Sequence, residues 1–81
     1  MGKLTQEQLN KFKQEIYEPY NTAWKIIQTL KQIDIDKQEE WDKYLQACEE
    51  FKANYPSELG GSIYRVLLDA GSEVGRIGRQ K

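Results

Sequence analysis

Residues 6–33, QEQLNKFKQEIYEPYNTAWKIIQTLKQI, decide the fold. Leu9, Phe12, Ile16, Tyr20, Ala23, Ile27 and Leu30 recur in steps of three and four, the spacing that keeps one apolar stripe on one face of a helix. Thr5 lies three residues before Gln8, so the hydroxyl and the amide can satisfy backbone N–H groups at a helix start near Gln6. Pro19 interrupts the run; inside a helix it removes a hydrogen bond and crowds the preceding turn, at about 3 kcal/mol. Because the stripe keeps its phase on both sides, the spacing predicts one long helix kinked at Pro19. A break, with Asn21 capping a separate helix, is the alternative.

Outward from this stretch, Ile33-Asp34-Ile35-Asp36 reads as a connector. Asp36 and Glu39 repeat the capping spacing and predict a second helix from about Lys37. Its apolar members are Trp41, Tyr44, Leu45, Cys48, Phe51 and Tyr55, and Pro56 ends it by forcing Tyr55 out of helical geometry. Ser57 caps a third helix, whose start could slip to Ser62 because Gly60 and Gly61 intervene. Leu59, Ile63, Val66, Leu67, Ala70 and Val74 share its apolar face. A strand over 62–68 is the competing reading, but it would have no partner strand. Gly71, Gly75 and Gly78 each weaken a helix by nearly 1 kcal/mol relative to Ala. The expected architecture is therefore all-α: a small three-helix bundle over residues 1–70 with a Pro-kinked first helix, and a flexible Gly- and Arg-containing tail or frayed helix end over 71–81.

Composition narrows the chemistry. The chain has 81 residues, no His, one Cys and a net charge of -1. Without imidazole there is no Ser-His or Cys-His nucleophile and no His-ligated metal, and Cys48 sits on an apolar stripe where a thiol acts as a small hydrophobe. The acids from Asp34 onward miss the calcium-loop pattern, with Gln38 and Glu39 at positions that need a ligand and a turn glycine. No enzyme, no metal and no cofactor are expected. The amino-terminal residues turn polar at once, no run approaches the roughly 20 apolar residues of a membrane span, and a single Cys gives no internal disulfide. A cytoplasmic protein with no membrane partner is expected.

Three features compete for function. Aromatic residues make up 11% of the chain and are favoured interface anchors. Phe12, Tyr20, Trp41 and Phe51 fall on the stripes and are expected in the core. Tyr17 and Trp24, seven apart and off the seam, form a proposed outward patch with Lys13 and Lys31 nearby. The exposed acids of the second helix, among them Glu39, Asp42, Glu49 and Glu50, form a solvated face or a nucleic-acid mimic of the kind an inhibitor from a mobile element would carry. Arg65, Arg76, Arg79 and Lys81 could hold phosphates, although three charges at the C-terminal end of an acidic chain make a weak field. The reading favoured is a non-enzymatic interaction module, an adaptor or inhibitor, that binds a protein partner or a second copy of itself. A nucleic-acid-associated protein is the alternative.

Overall fold

The computed structural model describes residues 2–80 as three helices, with no strand among them. The first helical path runs without a break over residues 6–32, the second helix is Gln38–Asn54 and the third is Glu58–Arg79. Short connectors turn each helix back along its predecessor, and all three helices touch one another. The result is the expected all-α bundle, drawn out to 54 × 25 × 18 Å.

Local chemistry places the helix ends. The Thr5 hydroxyl accepts from the Gln8 N–H at 3.2 Å, and the Gln8 side chain accepts from the Thr5 N–H at 2.9 Å, the reciprocal cap foreseen from the spacing. Ser57 caps the third helix through the Gly60 N–H at 3.1 Å, so this helix starts at Glu58 and does not slip to Ser62. The second helix differs from expectation. Lys37, not Asp36, stands at its N-cap, without a side-chain bond, and the preceding residues form a turn in which the Asp34 carboxylate accepts from the Asp36 N–H at 3.0 Å. Glu40, not Glu39, reaches back, accepting from the Asp34 N–H at 2.8 Å.

Pro19 does not break the chain, and the expected bend is not shown. The residues before it form a π-helical turn, Lys13–Tyr17. The Glu18 N–H donates to the Lys13 carbonyl, five residues back, which widens the turn where the proline ring would crowd the carbonyl of Glu15. A π turn takes in one residue more than an α turn and so rotates the following helix by about one residue step, ~100°.

The core consists of Ala23, Leu30, Tyr44, Cys48, Phe51, Ile63 and Leu67. Phe51 lies in it as expected, and Trp41 packs against it with its indole N–H donating to the Ile35 carbonyl at 2.9 Å. Phe12 and Tyr20, expected in the core, are exposed. The stretch from Gly71, read as a tail or frayed end, is helical as far as Arg79, with Gly71 and Gly75 buried. Here packing outweighs propensity: a Cβ on Gly71 would stand 3.0 Å from the Tyr44 ring, and the Tyr44 hydroxyl donates to the Leu67 carbonyl at 2.6 Å.

Paired glycine substitutions test this account. Gly61 is exposed with open space where a Cβ would go, so Gly61→Ala should stabilise the protein by about 0.5–1 kcal/mol in urea unfolding. Gly71→Ala gains the same helix propensity but meets the Tyr44 ring, and should destabilise it. Burial raises the pKa of Tyr44, with neighbouring Cys48 as a further cause, and burial raises that of the Cys48 thiol. Both groups ionise more easily in the unfolded chain. Their contribution is therefore fully present at neutral pH and is lost as pH rises past the unfolded values, about 8.5 for the thiol and about 10 for the phenol. The urea midpoint should fall across that window, and Cys48→Ala should flatten its lower part.

Candidate docking face

The π turn separates two apolar surfaces that one stripe in the sequence seemed to join. Beyond it, Ala23 and Leu30 face the core. Before it Leu9 and Phe12, and within it Ile16, remain 45%, 44% and 40% exposed. No residue from 2 to 18 is buried, so this part of the first helix stands out from the bundle as an arm. The radius of gyration records it: 15.4 Å, against about 12 Å for a compact chain of this length.

The ~100° rotation also brings the stripe of the arm into line with a different set of residues on the bundle. Tyr20 and Trp24, both exposed, continue it. They border a trough of about 400 Å³ between the first and third helices, floored by Ala23, Ile27 and Ile63 and edged by Val66. A second hollow of about 240 Å³ shares Trp24 and Ile27 and continues to Lys31, Ala70 and Val74. Arm and trough together form one apolar face along the side of the first helix, and Val66, read as a core position, is exposed on it. Ile16 also borders a separate hollow with Pro19, Tyr55 and Leu59.

Of the residues singled out in the sequence, Tyr17 and Trp24 are each 56% exposed. They are two α turns apart, so they lie on the same side of the helix, and Lys31 lines the hollow beside Trp24. Glu39, Asp42, Glu49 and Glu50 are exposed along the second helix and line neither hollow with Trp24. Asp42 accepts from Gln38 at 3.0 Å. Partial burial, and then Glu49, raise the pKa of Tyr64, whose ring also carries the Lys52 ammonium 5.0 Å from its centre. The basic set is dispersed. Arg65 is exposed, Arg76 is paired with Glu73, and the Arg79 guanidinium lies over Gly75. The pair with Arg76 lowers the pKa of the Glu73 carboxyl, so one of the three arginines is already matched by an acid. Lys81 lies outside the described residues.

Among the described residues no three His, Cys, Asp or Glu side chains come together as a metal site would require, and no helix is long and apolar enough to cross a membrane. Leu9, Phe12, Ile16, Tyr20 and Val66 are the members of the face that periodicity assigned to the interior. For Leu9, Phe12, Ile16 and Tyr20 the one signal in the sequence was Pro19, because a change of pitch there alters the phase between the residues before it and those after it; for Val66, on the third helix, there was none.

Truncations should separate arm from core. Leu67→Ala, at a fully buried position, should cost about 2–5 kcal/mol in urea unfolding. Leu9→Ala and Phe12→Ala should each cost under about 1 kcal/mol in the isolated protomer, because they empty no cavity. No family model, curated protein or solved structure gives a significant match to the chain.

Proposed function

We propose that the protein is a non-enzymatic docking module, an adaptor or inhibitor working in the cytoplasm, whose working surface is the apolar face from Leu9 through Trp24 to Val66. The observation that carries this reading is that face itself: three aromatic and three aliphatic residues, Phe12, Tyr20, Trp24, Leu9, Ile16 and Val66, are exposed, and Tyr20, Trp24 and Val66 border one trough. Contiguous apolar patches beyond a few hundred Å² are rare on monomers and mark contact surfaces, and Trp and Tyr are the side chains that most often anchor them. Tyr17 and Trp24 remain the proposed anchors. The trough beside Trp24 has the shape that receives the apolar edge of a helix.

The acids Glu39, Asp42, Glu49 and Glu50 have a lesser part in this reading. They lie on the second helix, away from the trough, and serve as its solvated side. The nucleic-acid reading is weaker, since Arg76 is paired with Glu73 and Arg65 and Arg79 lie at separate points along the third helix.

Photo-crosslinking tests the proposal in cells of the native host. A benzophenone side chain at position 24 should give a discrete adduct, and the same group at Glu50 should not. Trp24→Ala, read with the crosslinker moved to position 20, should lower the adduct yield about fivefold or more, the equivalent of about 1 kcal/mol, and leave the circular-dichroism spectrum unchanged. Equal labelling from positions 24 and 50 would end this reading.

A further inference from the structure

We infer that the docking face binds a second copy of this chain, with the two arms antiparallel about a two-fold axis at Ile16. This inference rests on the docking reading above and names its partner. Three observations carry it.

The first is area. The protein exposes 6532 Å², about 1,500 Å² more than the roughly 5,000 Å² typical of a compact monomer of 9.5 kDa. The six apolar residues of the face together expose on the order of 700 Å², close to the ~800 Å² per partner that a stable interface covers. A short foreign peptide in the trough would leave the arm bare, whereas a second copy covers both.

The second is symmetry. In a two-fold pair the same surface is used twice, so each residue must suit its counterpart across the axis. The exposed stripe is nearly palindromic about Ile16. Phe12 falls opposite Tyr20 of the second copy, Leu9 falls within one position of Trp24, and Ile16 meets Ile16. Leu9 and Phe12 of the arm are therefore set against ring residues beside the trough, Trp24 and Tyr20, and Ile16 against its own copy.

The third is charge. In this register Lys11 stands level with Asn21, Lys13 with Pro19, Glu15 with Tyr17 and Glu18 with Gln14. Glu7 stands level with Lys25, which has the opposite sign. No like charges stand directly level; within one position Glu18 lies between Glu15 and Lys13 of the second copy, so one like-charge approach is offset by one of opposite sign, and like-charge contacts are the usual cost that rules out a wrong register.

Sedimentation equilibrium from micromolar to millimolar protein should show the mass doubling from 9.5 kDa. Ile16→Glu places two carboxylates at the axis and should return the mass to that of the monomer with helicity unchanged, since Ile16 lies outside the core. Register is tested by Ile16→Cys: under mild oxidation it should form a disulfide-linked dimer at least tenfold faster than Glu50→Cys, the natural Cys48 being buried. A wild-type monomer throughout the range, or equal crosslinking of the two cysteine variants, would overturn the inference. The position-24 adduct keeps the two ideas distinguishable. An adduct of two copies supports both, an adduct with a different protein and a monomeric wild type overturns only the dimer, and no selective adduct overturns the docking reading itself.

Discussion

The Tyr44 phenol against the third helix is the contact on which the rest of the bundle depends. Its ring lies where a Cβ on Gly71 would stand, and its hydroxyl donates to the Leu67 carbonyl. A buried phenol without a partner would cost a few kcal/mol; here the partner exists only because the two helices approach closely enough to meet. That approach sets the depth at which Cys48, Phe51, Ile63 and Leu67 interlock, and Trp41 follows along the same groove toward Gly75. The glycines of the third helix are thus the small residues of an interface, and the tertiary contact holds the helix together over a stretch that its intrinsic propensity would leave loose.

A second constraint acts at Pro19. A proline inside a helix must be relieved, and in this chain the relief is the π turn just before it. The rotation that follows is local in origin and global in effect. It directs Ala23 and Leu30 into the bundle while Leu9 and Phe12 stay outside, and it lines the arm up with Tyr20, Trp24 and the trough. A helix of uniform pitch would have put the arm's stripe in phase with the core residues and left no continuous outer face.

Fold and function are therefore linked by an apparent excess. A chain of this size has few apolar side chains, and this one leaves six large ones uncovered on one side. A partner that covered them would recover the cost of keeping them in water, and the near-palindromic stripe, with no like charges directly level, is the ground for proposing a second copy. The charged residues of the second helix and the arginines of the third have more ordinary surroundings: solvent, a neighbouring acid, or their own backbone.

Much of the fold was legible in residues whose effect is local. Thr5 with Gln8 and Ser57 with Gly60 set helix starts through bonds spanning three residues, and Pro56 ends a helix through its own ring. The three-and-four spacing of Tyr44, Cys48 and Phe51, or of Ile63 and Leu67, needs only helical geometry to predict a buried face, and Tyr17 and Trp24 could be placed off the seam by the same arithmetic. The remainder was not legible, because it depends on what packs against what. Gly71 reads as a weak point until the Tyr44 ring is seen to require its missing side chain. Phe12, Tyr20 and Val66 read as interior because periodicity says which residues share a face and not whether a neighbour covers it. The sequence by itself determined three amphipathic helices and the capped start of the first, since those follow from short-range hydrogen bonding and side-chain spacing; it did not determine the end of the third at Arg79. Only the tertiary structure decided which apolar face stayed uncovered, since that depends on the pitch change at Pro19 and on how far a bundle this small extends along its first helix.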